Sequence, residues 1–236
     1  MQINYPLYLA IKNQSIPDHS VALVYGVNAS LTTTTAEVWD GGSAYTYPSG
    51  ADIASIVSTS LTDTGVIEVS GLTTTGTVVT QQVTLQGTTA VTLTTPLWRL
   101  IYAKNVSTTA LTGDVTLTSA DGLTVYGKIV LGNETTFMGI YTVPVGYKAY
   151  VVGLTASLIG VTTGYAVSCR LKSRAAGELF MPVFDFGLQS AGSSFIDISF
   201  DYLIELDALS DLVVDAVSSL AGGGISVRLK LLLLEQ

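Results

Sequence analysis

Apolar and polar side chains alternate along most of this chain with a period of two residues. The pattern is plain in Val78–Leu85, Val115–Thr118 and Ile225–Leu231, where aliphatic residues take turns with Thr, Gln, Ser and basic residues. This period puts the apolar side chains on one face of an extended segment, as in a half-buried antiparallel strand. No segment shows a sustained apolar stripe at about 3.6-residue spacing. The pattern therefore predicts an all-β protein.

Short turns rich in Gly, Thr and Asp separate the predicted strands at regular intervals, for example at Gln86–Thr89, Thr112–Asp114 and Ala120–Gly122. Gly supplies the positive φ that such turns need. Many short strands with turns between them are typical of a β-sandwich or a jelly roll. The predicted strands are residues 56–59, 66–69, 77–85, 90–94, 98–106, 115–118, 123–129, 150–158, 165–172, 179–186, 195–202, 211–217 and 225–233.

With 236 residues, the chain is long enough for two β domains of ordinary size. Residues 1–35 are expected to form an extended N-terminal arm, because Pro6, Pro17 and the polar stretch Lys12–Ser15 interrupt the periodicity. Such arms often reach a neighbouring subunit. The remainder is expected to form a β-sandwich domain over residues 36–120 and a jelly-roll domain over residues 121–236.

The composition points to assembly. Only 12% of the residues are charged and 48% are hydrophobic, with a mean hydropathy of +0.50, whereas typical soluble domains carry about 25% charged residues. We expect part of this weakly charged surface to be buried against other subunits. The alternative is a monomer whose surface consists mostly of Thr, Ser and Gly.

Two groups of residues are candidates for the subunit interface. Leu231–Leu234 is apolar on both faces of the last strand, so one face should pack on the core and the other on a second sheet or a neighbouring chain. Aromatic residues beside Gly-rich turns anchor subunit contacts or, alternatively, stack on sugars. The candidate interface residues are Trp39, Tyr45, Tyr47, Leu232 and Leu234.

Charge and targeting signals narrow the range of partners. The net charge of −8 disfavours binding to nucleic acid, which depends on clustered Lys and Arg. Arg170, Lys172 and Arg174 alternate along one strand and are expected to form a solvated face. No apolar run approaches the roughly 20 residues of a membrane-spanning helix. The N-terminus does not resemble a signal peptide, so we expect synthesis in a host cytoplasm and no membrane partner.

Residues able to carry chemistry are scarce. His19 lies between Asp18 and Ser20, but adjacent side chains do not face one another as the members of a catalytic triad do, so a polar loop histidine is expected. The single Cys169 allows no disulfide within the chain, and one His with one Cys cannot supply a zinc site. We expect no catalytic residue, cofactor or metal. Five acids, which have no EF-hand spacing, are expected to form a solvated acidic edge: Asp201, Glu205, Asp207, Asp211 and Asp215.

Four segments carry a resemblance to a known group of proteins. Val38–Pro48, Val83–Val91, Tyr141–Tyr150 and Asp207–Ala216 resemble segments of tailed-bacteriophage virion structural proteins of marine and freshwater phages. The resemblance extends from about residue 36 onward and consists mainly of turn chemistry. It implies a β-rich component of the particle, with a role in decorating the head, stabilising the capsid or building the tail.

The sequence thus favours a non-enzymatic virion protein. The expected role is that of a capsid decoration or cement protein, which forms a homo-oligomer, most simply a trimer, and binds the major capsid protein or other virion proteins. The alternative is a tail or head appendage protein that binds host-surface carbohydrate through Trp39, Tyr45 and Tyr47.

Overall fold

The computed structural model describes residues 18–160 and 164–236, and these residues form an all-β protein. Its strands are β1 (His19–Leu31), β2 (Ala36–Glu37), β3 (Ile53–Ser58), β4 (Val66–Leu72), β5 (Val78–Thr84), β6 (Val91–Leu97), β7 (Arg99–Asn105), β8 (Val115–Thr118), β9 (Val125–Ile129), β10 (Ile140–Thr142), β11 (Tyr147–Ile159), β12 (Ala166–Arg174), β13 (Met181–Gln189), β14 (Phe195–Leu206), β15 (Asp211–Ser218) and β16 (Gly223–Glu235). The prediction of an all-β fold is confirmed.

The strands divide into two compact units. Unit 1 contains the described residues up to Val38 and those from Gly139 onward, whereas unit 2 is Trp39–Met138. This division differs from the predicted ranges 1–35, 36–120 and 121–236. The reason is pairing between distant parts of the chain: β1 joins the last strand in one sheet, and β9 pairs with β8 across the boundary predicted after residue 120.

Unit 1 has the strand order of a jelly roll. Sheet A has the order β1-β16-β11-β14, and sheet B has the order β10-β15-β12-β13, with β2 also pairing to β15. All pairings are antiparallel. Two such sheets face each other across one apolar core in a jelly roll. The predicted jelly roll is therefore present, but it is built from both ends of the chain.

The prediction of an extended N-terminal arm is wrong for the second half of residues 1–35. Residues His19–Leu31 form β1, whose register with β16 runs from His19 opposite Leu234 to Leu31 opposite Gly223. Inward residues such as Val24 and Leu31 are buried, so β1 belongs to the core of unit 1. Residues 1–17, the other half of the predicted arm, lie outside the described residues.

Unit 2 is inserted between two pieces of one jelly-roll strand. Strands β2 and β10 both pair with β15, and Val214 joins them: the Val38 amide donates to Val214 O at 2.8 Å, and the Val214 amide donates to Gly139 O at 3.0 Å. The Gly139 amide donates to Val38 O at 2.7 Å. The chain therefore leaves unit 1 after Val38 and returns to the same place at Gly139.

A glycine makes room for this junction. A Cβ atom at Gly26, on β1, would lie 2.4 Å from Gly139 N and 2.5 Å from Val38 O. Real Cβ atoms do not approach backbone atoms so closely, and rigid backbone cannot move aside cheaply. Only glycine fits where β1 crosses under the two halves of the interrupted strand.

Unit 2 is a smaller sandwich of two antiparallel sheets. Sheet C has the order β6-β3-β8-β9 and sheet D has the order β5-β4-β7. Their inward residues alternate with exposed Thr and Gln, as the sequence predicted. The fully buried core includes Ile53, Ile56, Ile67, Leu72, Leu97, Leu117 and Ile129.

Candidate assembly surface

The aromatic candidates for the interface lie inside unit 2. Trp39 is 2% exposed and Tyr45 is 7% exposed. Their rings meet edge to face with centroids 5.2 Å apart, and Tyr45 meets Tyr47 in the same way at 4.9 Å. The Trp39 indole N–H donates to Ser43 O at 2.6 Å, which fixes the ring under the Gly-rich turn. Trp39 and Tyr45 therefore plug one part of the sandwich and present no broad ring face to a partner.

Arg99 continues this cluster as a buried cation. Its guanidinium lies 4.0 Å from the ring centroid of Trp98 and 5.5 Å from that of Tyr47. It also donates to Pro48 O at 2.8 Å. The aromatic faces and the carbonyl offset the cost of removing the charge from water. The cluster stabilises the segment after Trp39, and sequence reasoning had not connected Arg99 with it.

A cavity of about 490 Å³ opens beside the cluster. A Lys128–Asp114 ion pair of 2.8 Å lies in its wall, together with Trp39 and several hydroxyl side chains. Its volume falls in the range of small-ligand pockets, about 300–1,000 Å³. The cavity is large enough to hold a small polar molecule beside Trp39.

Asp40 lies next to Trp39 and holds the two chain segments of unit 2 together at the junction. The Asp40 amide donates to Phe137 O at 3.0 Å, and the Phe137 amide donates to the Asp40 carboxylate at 2.8 Å. Burial raises the pKa of Asp40 to about 7, and the bond from Phe137 and the charge of Lys128 lower it only in part. Asp40 therefore titrates near neutral pH.

The last strand, β16, has apolar side chains on both faces, as its sequence predicted. Leu231 and Leu233 are buried in the core, whereas Leu232 and Leu234 are half-buried on the outer face of sheet A. Leu232 lies opposite Val21 of β1 on one side and Tyr150 of β11 on the other. These side chains form an apolar row on the outer face of sheet A.

Two cations extend this row into a larger surface, the β1–β16 patch. Arg228 and Lys230 alternate with core residues along β16 and lie opposite Tyr25 and Leu23, each 41% exposed. The patch is defined by Val21, Leu23, Tyr25, Arg228, Lys230 and Leu232. The sequence had carried a signal for it, since Arg228 and Lys230 occupy alternate positions of an otherwise apolar strand.

The opposite edge of sheet A presents a second exposed surface. Val151 of β11 pairs with Ile204, and Gly153 pairs with Ser199, so residues 200–203 of β14 stand opposite Val152 alone. These residues form the β14 bulge. Within it, Tyr202 is 91% exposed and Leu203 is 49% exposed. Bulges on edge strands redirect side chains and interrupt regular edge pairing.

The outer face of sheet B is a ladder of ion pairs. Arg170 pairs with Asp185 at 3.0 Å, Lys172 with Asp215 at 2.5 Å, and Arg174 with Asp211 at 2.6 Å. Asp211 and Asp215 are buried, so the expectation of a solvated acidic edge is wrong for these two acids. The pairing of β12 with β15 explains why these two acids are not solvated, since it places Asp211 and Asp215 beside the basic side chains of β12. The ladder neutralises the basic row that the sequence had placed on a solvated face.

The remaining candidates for chemistry have structural surroundings. His19 begins β1 opposite Leu234 and is not in a loop, contrary to expectation. Cys169 is buried, and burial raises the pKa of its thiol to about 12. Within residues 18–160 and 164–236, no group of three or more His, Cys, Asp and Glu is arranged to hold a metal ion. The same residues form no helix long and apolar enough to cross a membrane.

Comparisons with known proteins give only distant structural likenesses. No protein-family model matches the chain, and no curated protein matches it significantly. Among solved structures, the VP2 subviral particle of infectious bursal disease virus matches at 10% identity and a TM-score of 0.22, covering 93% of this chain and 77% of that one. The structure of the Gt strain of the same virus matches at 12% identity and a TM-score of 0.23, covering 97% and 82%. Superpositions at such TM-scores do not establish a common fold, and no property of these viral proteins transfers to this chain.

Proposed function

We propose that this chain is a non-enzymatic structural protein of a virus particle, and more specifically a phage capsid decoration or cement protein. The observation that carries the proposal is the outer face of sheet A in the jelly-roll unit, where the apolar and cationic β1–β16 patch lies open to a partner. Jelly rolls build many viral particle proteins, an analogy at the level of the fold. The resemblance of four segments to phage virion proteins points in the same direction.

The chemistry of the charged residues supports a structural role. Asp63 accepts hydrogen bonds from the Ser58 hydroxyl and from the amides of Thr112 and Gly113, so its carboxylate holds two loops together. Asp211 and Asp215 are engaged by Arg174 and Lys172. Carboxylates used in this way stabilise a scaffold and are not poised to react with a substrate.

The patch has the composition of an assembly surface. Interface cores are more apolar than the rest of the protein surface and are enriched in aromatic residues and Arg. A standard interface buries roughly 1,600 Å² in total, and repetition over many copies makes modest contacts collectively strong. We expect a homo-oligomer, most simply a trimer, that contacts the major capsid protein or another virion protein.

Two measurements test this proposal. Light scattering of the purified chain should give the mass of an oligomer, and the chain should co-sediment with purified particles of the virus that encodes it. A monomer that does not co-sediment would contradict the proposal. Cryo-electron microscopy of the particle would then give its position on head or tail.

The cavity beside Trp39 favours one alternative, a head or tail appendage that binds host-surface carbohydrate. Its hydroxyl side chains and the Lys128–Asp114 pair match the polar groups of a sugar. A glycan array comparing wild type with Lys128→Ala tests it, with Lys104→Ala as the control, because Lys104 forms a similar surface pair with Glu68 at 2.8 Å. A glycan signal that Lys128→Ala abolishes and Lys104→Ala retains would favour the alternative. No signal in any variant would exclude it for the sugars on the array.

A further inference from the structure

Arg228 lies at the centre of the β1–β16 patch without a carboxylate partner among the described residues. Its Nε–H is buried and donates to no hydrogen-bond acceptor there, and its Nη2 atom makes only a long contact of 3.5 Å with the Thr155 hydroxyl. Lys230, on the same face, reaches Asp197 at 3.8 Å. A half-buried guanidinium in an apolar setting is stabilised by an anionic partner. The patch therefore fits a surface that brings a carboxylate and apolar side chains together.

The chain carries such a surface on the far edge of sheet A. In the β14 bulge, Asp201 is exposed beside Tyr202 and Leu203. Phe200 anchors the bulge by packing edge to face on Phe184 of β13, with ring centroids 5.1 Å apart. A fixed backbone that projects a tyrosine, a leucine and an acid resembles the anchor residues of protein interfaces.

The bulge and the patch do not meet within one molecule. The order β1-β16-β11-β14 separates β14 from β16 by two strand spacings, about 10 Å, on one sheet. Tyr202, with 91% of its surface exposed, is not packed against the patch. Within one molecule Lys230 of the patch reaches β14 at Asp197, which lies outside the bulge. The exposed bulge residue Tyr202 therefore remains for a contact between two copies of the chain.

We propose that the β14 bulge of one copy docks on the β1–β16 patch of the next, with Asp201 facing Arg228 and Tyr202 packing between Leu23 and Tyr25. This inference rests on the proposed role in assembly and names the surfaces that make the contact. The partner is a second copy because the two surfaces are complementary: the patch holds the unbonded Nε of Arg228 beside the exposed Leu23 and Tyr25, whereas the bulge presents the exposed Asp201 and Tyr202.

The same charges disfavour a twofold dimer formed by two patches. Such an isologous contact would bring Arg228 and Lys230 close to their own copies, and like charges at an interface cost several kcal/mol. The contact between the bulge of one copy and the patch of the next is heterologous, and such contacts close into a ring when the rotation between copies allows it. We expect the ring to be a trimer.

Charge exchange tests the pairing. Arg228→Asp and Asp201→Arg should each weaken self-association by about tenfold or more, and the chain carrying both changes should recover most of it, because every interface then regains an opposite pair. Tyr202→Ser should weaken association without affecting folding, since the side chain is almost fully exposed. Leu179→Ser, at an 85% exposed position outside both surfaces, is the matched control and should associate like wild type. Sedimentation velocity measures association, and circular dichroism confirms folding.

Cross-linking gives an independent test that does not rely on Arg228. A chain with both Leu23→Cys and Tyr202→Cys should form disulfides between neighbouring copies on oxidation and close into a covalent ring. The mass of this ring on a non-reducing denaturing gel gives the number of copies. Each single variant should give no ladder, and Cys169 is buried and should not interfere.

The outcomes separate the two proposals. An oligomer whose mass is unchanged by Tyr202→Ser and by both charge reversals, and which forms no cross-link, would overturn the bulge-on-patch contact and leave the assembly role standing. A wild-type monomer at every concentration, with no cross-link, would overturn both. Loss of association in the single variants, recovery in the double variant and a covalent ring would support the contact.

Discussion

The side-chain amide of Gln81 pairs with the backbone of Thr95 as a neighbouring strand would. Its Nε2 donates to Thr95 O at 2.8 Å, and its Oε1 accepts from the Thr95 amide at 3.0 Å. Gln81 lies on β5 in sheet D and Thr95 on β6 in sheet C, so this one side chain joins the two sheets of unit 2 at their edge.

Replacing Gln81 should loosen that edge. Gln81→Leu keeps the length of the side chain but leaves both backbone groups of Thr95 without a partner, which should lower the free energy of unfolding of unit 2 by about 1–2 kcal/mol. Gln86→Leu, at an exposed position without a side-chain hydrogen bond of this kind, is the control. Both tryptophans, Trp39 and Trp98, lie in unit 2, so denaturation followed by tryptophan fluorescence reports on this unit. Equal stability of the two variants would contradict the bridging role.

Asp63 should make unit 2 sensitive to acid. Burial on its own raises the pKa of Asp63, but hydrogen bonds from Ser58, Thr112 and Gly113 outweigh it and hold the pKa below its ordinary value. A lowered folded pKa adds stability that is present above the unfolded pKa of about 3.9 and is lost as the pH falls through the folded value. Asp63→Asn should cost about 2–3 kcal/mol at neutral pH, because its NH₂ would face donors. In this variant the loss of stability below about pH 4 should become shallower, whereas Glu178→Gln, at an exposed position of unit 1, should keep the wild-type profile.

Asp40 should have the opposite effect on the pH dependence of stability, and at higher pH than Asp63. Its folded pKa of about 7 lies above the unfolded value of about 3.9, so the folded state binds more protons between these values and stability falls as the pH rises through that window. Asp40→Asn mimics the neutral acid and can still accept from the Phe137 amide. We expect the variant to match wild type near pH 4 and to exceed it by about 1–2 kcal/mol at pH 8, a figure reduced because the carboxyl is partly solvated. Fluorescence-detected unfolding at both pH values measures this, and a wild type with flat stability across the window would contradict it.

Gly26 should be essential for unit 1. Gly26→Ala places a methyl group within 2.6 Å of Gly139 and of the Val38 carbonyl, so β1 or the interrupted strand must shift. A cost of about 3 kcal/mol is expected. Gly192→Ala, where a Cβ meets nothing within 4 Å, should be neutral. Hydrogen exchange of the β1 and β16 amides separates the two variants, and slow exchange retained in Gly26→Ala would contradict the close approach.

Much of the candidate surface was visible in the sequence once its strands were located. The apolar outer positions Leu232 and Leu234 followed from the two-faced pattern of the last strand, and both lie on the outer face of sheet A. The burial of Trp39 and Tyr45 could not be predicted from the sequence, because a turn sequence does not specify on which side of the turn an aromatic ring packs. The β14 bulge was equally hidden, since residues 200–203 continue the composition of a regular strand and only the register against β11 displaces them.

The sequence by itself determined the β structure, the position of most turns and which side of each long strand is apolar, because these depend on a two-residue period and on local backbone preferences. Tertiary structure alone decided that β1 pairs with β16 across the length of the chain and that unit 2 is inserted at Val38 and Gly139. Strands β2 and β10 are too short to show any period, and their pairing with β15 is fixed by contacts between distant residues. Alternation specifies faces, whereas the choice of partner strand depends on which distant faces bury each other best.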